Sequence, residues 1–406
     1  MKKIAILGFG VVGSGIARVL EQNAERIAGA VGEPVGIKYI CDLREFPDSP
    51  YGDRIVHSLD PIVADPEVEA VCEAMGGSHP AYEYSVRCLE AGKHVISSNK
   101  EVVSRFGDRL LARAREHGVS YLFEASVGGG IPLIRPFSTS LACDRMTSVT
   151  GIVNGTTNYI LTKMKDEGVS FGDALAEAQR LGYAERDPSA DIDGIDAKRK
   201  IMILTALMTG LLPEDGEVCV RTVRDLTTED ISAAGRLGGE VKLIARSEVL
   251  SEPGEAIRYS AFVTPMIVLR SNPLSHVADV YNAVSLTSPV TGDILYYGRG
   301  AGSLPTAGAM LSDVTAALSG AAAAETAPVF ERRAGAGIPF DSRVLDFYVR
   351  FSGSGSDAAE KLAAAAECVD PVTGSPEGVC EFLVRSVSDR ALGEALPDAV
   401  RIPILR

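Results

Sequence analysis

The sequence predicts an α/β protein: an N-terminal Rossmann-like, doubly wound parallel sheet, then an α+β domain, then a small βα domain at the C-terminus. Three observations predict it. A short apolar strand over residues 3–7 runs directly into Gly8-Phe9-Gly10-Val11-Val12-Gly13, and helical periodicity follows through Ile16, Val19 and Leu20, which is the context a dinucleotide fingerprint requires. Strands and helices then alternate at similar lengths to about residue 135, as a parallel sheet demands. Past that point the apolar runs at 258–269, 283–286 and 294–297 read as antiparallel strands. The domains are therefore expected at 1–135, at 136–302 and at 335–406.

Length and composition bound what such a chain does. At 406 residues it can bury two or three cores. A net charge of −14 argues against nucleic acid or an anionic membrane as the main partner and leaves a small molecule. The seven cysteines are odd in number and scattered, with no Cys-x-x-Cys. That pattern reads as reduced thiols of a cytoplasmic protein, not a disulfide frame or a zinc site. The apolar run after Met-Lys-Lys is broken by Gly8, Gly10, Gly13, Gly15 and Arg18, so it is not read as a signal peptide. No stretch of about 18 uninterrupted apolar residues stands in the chain to span a membrane.

In the fingerprint, Gly8 permits the tight turn, Gly10 lets the backbone approach a pyrophosphate, and Gly13 lets the helix pack close. The phosphates sit at the helix N-terminus. A second strand, 37–41, ends at Asp42, where this fold places the acid that binds a ribose hydroxyl. Arg44 follows two residues later and suits a 2′-phosphate instead, so NAD and NADP both stay open. Residues 68–72 form a third strand and 93–97 a fourth, which delivers Lys100 to the carboxyl edge of the sheet, where ligands of this fold gather. The strand at 119–123 ends in Glu124, followed by Val127-Gly128-Gly129-Gly130-Ile131-Pro132. Consecutive glycines expose backbone carbonyls, and with a carboxylate these are oxygen ligands for a hard cation. A tight turn into a helix begun by Pro132 explains the same residues.

After a strand at 146–153 and Asn154-Gly-Thr-Thr-Asn158-Tyr159, two helices lead into residues 182–200, Gly-Tyr-Ala-Glu-Arg-Asp-Pro-Ser-Ala-Asp-Ile-Asp-Gly-Ile-Asp-Ala-Lys-Arg-Lys. Here five acids and four bases stand at the mouth of an apolar helix over 201–212. Asp196 and Lys200 are four apart, so they share a helix face, and Glu185 lies on the preceding Pro-containing loop. Two carboxylates beside an ammonium suit a substrate with its own ammonium and an oxygen to be protonated. A calcium loop does not fit, because it would put Ser189 first and Lys200 twelfth. Taken alone, Asp196 has a structural explanation, an acid in the first helical turn with Asp193 as N-cap. Lys198 and Arg199 read as solvated or phosphate-facing. The glycine-rich 298–302 opens the Ala-rich helix to about 318, residues 319–327 read as a linker, and the tail follows a β-α-β pattern.

The run Gly-Tyr-Ala-Glu-x-Asp-Pro-x-x-Asp-x-x-Gly-x-Asp-x-x-x-Lys resembles the signature of homoserine dehydrogenase, and the resemblance covers about residues 1 to 330. It implies reversible hydride transfer between NAD or NADP and aspartate semialdehyde, giving L-homoserine for threonine and methionine biosynthesis. It also implies that Glu185 and Asp196 hold the substrate ammonium, that Lys200 protonates the carbonyl oxygen and that Lys100 biases the field there. The implied cofactor contacts are Gly8, Phe9, Gly10, Val11, Val12, Gly13, Asp42, Arg44, Lys100, Gly182 and Gly302, and the resemblance implies that the helix over 303–320 returns to the first domain. A sodium ion would take Glu124 and the backbone oxygens of Val127, Gly129 and Ile131, and the assembly would be a homodimer or homotetramer. With the fingerprint at residue 8, no kinase domain is expected in front. The tail resembles an amino-acid-sensing ACT domain but has Ser352-Gly-Ser-Gly-Ser356 where that family carries Asp-x-Pro-Gly. Two alternatives are another amino-acid dehydrogenase on the same scaffold and a dinucleotide-sensing regulatory protein without catalysis; the latter is expected to lose Lys100 or Lys200.

Overall fold

The structure, a computed structural model, describes residues 1–324, 327–353, 355–376 and 378–406. The chain divides into two compact units. The first comprises Met1–Met146, Met202–Leu212 and Ser288–Arg333; the second comprises Thr147–Ile201, Pro213–Thr287 and Ala334–Arg406.

The first unit is built on strands β1 (Lys2–Leu7), β2 (Val35–Cys41), β3 (Ile55–Val56), β4 (Val68–Glu73), β5 (His94–Ser97) and β6 (Tyr121–Leu122). They pair in parallel in the order β3-β2-β1-β4-β5-β6. Ile4, Ala5, Ile6 and Leu7 are all buried, as a strand covered on both faces requires. The sheet order reverses between β1 and β4, so the crevice beyond the carboxyl ends of these two strands is the ligand position of the fold. Helix Val11–Gln22 meets helix Ser303–Leu318, where Ile16, Ala17 and Leu20 share a core with Ala307, Met310, Leu311 and Val314.

Two expectations need correction here. The strand at 119–123 shortens to Tyr121–Leu122, because the chain turns into a 3-10 turn, Glu124–Ser126. The helix expected from Pro132 begins only at Arg135 and is a single turn, Arg135–Ser138. Its start is set by the Glu124 carboxylate, which accepts the backbone N–H groups of Leu133, Ile134 and Arg135 at 2.6, 2.9 and 2.7 Å.

The second unit contains β7 (Ser148–Ile152), β8 (Val218–Val220), β9 (Gly239–Val249), β10 (Tyr259–Leu269) and β11 (Tyr281–Ser288). After β12 (Gly292–Arg299), whose chain belongs to the first unit, the tail adds β13 (Val344–Phe351), β14 (Cys368–Pro371), β15 (Cys380–Ser388) and β16 (Val400–Leu405). The order is β11-β7-β9-β10-β16-β13-β15-β14, with β8 beside β10. β9 has no counterpart among the expected strands, because Lys242, Arg246 and Glu248 obscure its alternation. Lys242 is nonetheless buried, with Nζ donating to the Val277 carbonyl at 2.8 Å and facing Glu240 at 3.1 Å.

The tail runs β13, helix Gly355–Ala365, β14, β15, helix Asp389–Ala395, β16, a fuller pattern than β-α-β. It is continuous with the sheet of the second unit: β16 pairs in parallel with β10 through Ile267↔Ile404 and Val268↔Leu405. Phe262, Met266 and Val268 share one core with Phe347, Val349, Val384, Leu392 and Leu405. Parts of two expected features, the linker at 319–327 and the turn at 352–356, lie outside the described residues. Among the described residues, no helix is long and apolar enough to cross a membrane.

Candidate active site

The first unit assembles the fingerprint as its glycines dictate. Gly8 has φ +87°, a conformation costly for any residue with a Cβ. A Cβ on Gly13 would stand 2.0 Å from the Gly8 carbonyl oxygen, so only glycine fits where the helix crosses the turn. No side chain caps helix Val11–Gln22 at Gly10, and Val11 is 72% exposed at its first turn. Uncapped N–H groups at an open helix start form an anion site. Helix Ser303–Leu318 reaches this edge too: Gly302 is its N-cap, and Ser303 Oγ donates to the Val11 carbonyl at 2.6 Å.

Asp42 is held beside the fingerprint, its Oδ2 accepting the Phe9 N–H at 2.7 Å. The Phe9 ring turns inward against Phe46 and Tyr51, with centroids 5.2 and 6.2 Å away. Arg44 grips the same carboxylate from Nε and Nη2 at 2.9 and 2.8 Å and lies 5.1 Å over the Phe46 ring. The Arg44 guanidinium holds the Asp42 carboxyl well below the usual carboxylate range. Lys100 opens helix Lys100–Glu116, directly after the Asn99 cap and past the carboxyl end of β5. Near it lies a residue that sequence reasoning missed, Glu73, which ends β4 fully buried.

Glu124 borders a cleft of about 650 Å³ with Gly130, Ile131, Arg135, Tyr297 and Pro305. Val127, Gly129 and Ile131 are buried. Among the described residues, no hydrogen bond ends on their three carbonyls.

The helix that carries the acid–base pair begins ahead of the apolar run at 201–212, and its residues 195–201 belong to the second unit. It spans Ile195–Thr209, and Asp193 is not its N-cap: it ends the short helix Ser189–Ile192 and pairs with Arg224. Asp196 and Lys200 are 5% and 7% exposed, and Lys200 Nζ donates to Asp196 Oδ2 and to the Val153 carbonyl, each at 2.6 Å. Asn154, which caps helix Gly155–Glu167, donates from Nδ2 to Asp196 Oδ2 at 2.9 Å and to Asp191 Oδ1 at 2.8 Å. Its Oδ1 takes the Thr157 N–H at 2.9 Å, so the direction of the amide is fixed by the cap. Asn154 and Asp191 are the partners sequence reasoning left without a role. The Asn-x-x-Thr cap before an apolar helix was the available signal for the first.

Glu185 and Gly182 are exposed on the loop after helix Phe171–Arg180. The loop is stitched down by Gln179 Nε2 to the Glu185 carbonyl at 3.1 Å and by Thr156 Oγ1 to the Tyr183 carbonyl at 2.8 Å. Arg180 pairs with Glu177, not with Glu185. Lys198 faces Asp215 at 2.9 Å.

A fingerprint at a topological switch point and a buried lysine–carboxylate pair define a nicotinamide-dinucleotide-dependent oxidoreductase. The homoserine dehydrogenase NAD-binding domain profile matches residues 8–124, and the homoserine dehydrogenase profile matches residues 132–315. The homoserine dehydrogenase of Synechocystis is 41% identical over 316 residues, which are 77% of this chain and 72% of that one. A crystal structure of a homoserine dehydrogenase from Thiobacillus denitrificans superposes with a TM-score of 0.90 at 30% identity, covering 99% of this chain and 97% of that one. A hyperthermophilic archaeal homoserine dehydrogenase in complex with NADPH gives a TM-score of 0.66 at 26% identity, covering 78% of this chain and 97% of that one. The chain belongs to the homoserine dehydrogenase family, and its activity is the NAD(P)-dependent interconversion of homoserine and aspartate semialdehyde.

Proposed function

We propose that Lys200 is the proton donor of this reaction, and the observation that carries the reading is its burial against Asp196. When bound, the dinucleotide supplies the hydride for the carbonyl carbon. Lys200 gives a proton to the carbonyl oxygen during reduction and takes it back from the hydroxyl during oxidation. Asp196 holds the lysine in place and, with Glu185, receives the substrate ammonium. Asn154 keeps the two carboxylates Asp196 and Asp191 apart in fixed directions. Lys100 adds positive charge for the substrate carboxylate or the developing oxyanion.

Residues 1–135 with 303–320 then form the dinucleotide domain, 136–302 the catalytic and dimerisation domain, and 335–406 a small ACT-like domain whose sheet continues that of the second unit. Besides Lys100, the dinucleotide contacts are Gly8 to Gly13, Asp42, Arg44, Gly182 and Gly302. The exposed Arg44 guanidinium favours NADP, and the NADPH held by the archaeal relative supports that choice. Asp42, beneath Arg44, keeps NAD acceptable.

A sodium ion held by Glu124 and the backbone oxygens of Val127, Gly129 and Ile131 is supported by the absence, among the described residues, of any hydrogen bond ending on those three carbonyls. Leu295 and Tyr297 on β12 are 43% and 56% exposed, apolar surface that suits a second copy in a homodimer or homotetramer. The seven free thiols suit a cytoplasmic protein.

The test is absorbance at the reduced-nicotinamide band, with homoserine and either dinucleotide. Homoserine-dependent reduction with both, faster with NADP, is expected. No turnover with either would overturn the reading.

A further inference from the structure

Glu73 is a buried titratable group that the reaction as described does not use. Its carboxyl accepts Ser97 Oγ–H at 2.6 Å and the Met75 N–H at 2.9 Å, and it lies 3.5 Å from Asn99 Nδ2. These partners are neutral donors, and burial pushes its pKa up against them. An apolar side chain would occupy the same place without desolvating a carboxyl.

The partners point in two directions. Ser97 Oγ accepts the Asn99 N–H at 3.0 Å, and the Asn99 amide donates to the Gly77 and Met75 carbonyls at 2.7 and 3.3 Å. Asn99 Oδ1 accepts the N–H groups of Glu101 and Val102, each at 3.2 Å, and so caps the helix whose first residue is Lys100. On the other side, the Ala74 N–H donates to the Leu7 carbonyl at 2.9 Å, and a Cβ on Gly8 would meet the Ala74 oxygen at 2.9 Å. One carboxyl thus ties the turn beside the fingerprint to the cap beneath Lys100.

We propose that Glu73 is a positioning residue for the dehydrogenase reaction: through Ser97 and Asn99 it fixes Lys100 at the carboxyl edge of the parallel sheet. The proposal rests on the reading that Lys100 takes part in the reaction. It is tested by a double-mutant cycle in kcat on the full chain, comparing Glu73→Ala, Lys100→Met and the double variant, with melting temperatures measured alongside. Glu73→Ala is expected to lower kcat about tenfold or more, and to lower it no further in the Lys100→Met background, because coupled residues are non-additive. Glu73→Gln, close in shape to a protonated carboxyl, is expected to restore kcat to within about threefold of wild type. If Glu73→Ala does not fold, Ser97→Ala replaces it in the cycle and is expected to show the same non-additivity. Full additivity with an impaired Lys100→Met overturns the role of Glu73 alone. Wild-type turnover in Lys100→Met overturns the reading of Lys100 and the proposal with it.

Discussion

The two charged clusters of this molecule are built on opposite terms. Lys200 and Asp196 are 7% and 5% exposed and share their polar atoms with Val153 and Asn154. Asp42 and Arg44 form an equally close pair, but the Arg44 side chain is 62% exposed on the rim of the sheet. A buried pair that loses one partner leaves an uncompensated charge, at a cost of about 3–5 kcal/mol. In the second pair the Asp42 side chain is only 8% exposed, but the solvent around Arg44 screens the pair and weakens it. The first cluster is therefore committed to one arrangement, whereas the proposed exchange of Asp42 for a ligand phosphate at Arg44 suits a choice between cofactors.

The comparison sharpens from the largest effect downward. Ending the chain after Gly320 removes β16, one of the strands paired with β10, and more than half of the core around Phe262 and Met266. Each large core side chain lost costs about 2–5 kcal/mol, against a total stability of about 5–15 kcal/mol. The truncated chain is expected to lose cooperative thermal unfolding. A sharp melting transition in the truncated protein would show that the second unit closes its core alone.

Within the buried cluster, Asn154→Ala removes the amide between Asp196 and Asp191. A fall in kcat of about tenfold to 10² is expected, beyond the roughly 0.5–2 kcal/mol of stability that a lost cap costs. Unchanged kcat at a lowered melting temperature would reduce Asn154 to its capping role.

Glu185 stands outside the buried group, so its effect should be confined to binding. If it meets the substrate ammonium, Glu185→Gln loses a charge-assisted bond of about 1.5–3 kcal/mol and raises KM for homoserine about tenfold or more. A KM within about twofold of wild type means that it does not touch the ammonium.

At the rim the effect is smallest. If Asp42 faces the ribose, Asp42→Ala removes a carboxylate that repels a 2′-phosphate and releases Arg44, so the ratio of kcat/KM for NADP over NAD should rise several-fold. A ratio that stays put removes Asp42 from the ribose.

How much of this was legible in the sequence follows from distance along the chain. The fingerprint and the Asp196–Lys200 pair are local, and fixed spacing displays them. Asn154 and Asp196 are 42 residues apart, and Glu73 and Ser97 are 24 apart. No periodicity links such pairs; they meet because β7 precedes helix Gly155–Glu167 and because β4 pairs with β5. β9 was hidden by charges whose partners appear only in the fold, as with Lys242 and the Val277 carbonyl. The union of β16 with β10 was hidden for the same reason, since register between strands more than 130 residues apart leaves no local trace.

The central claim is that dinucleotide binding does not depend on Lys200, while proton transfer does. Lys200→Met keeps most of the stem and removes the donor, so NADPH titration by calorimetry and turnover of homoserine should separate in this one variant. The account predicts an NADPH Kd within about twofold of wild type and turnover reduced about 10²-fold or more, as for a missing general acid. A folded variant that keeps its turnover, or one that loses NADPH affinity in step with turnover, would contradict it.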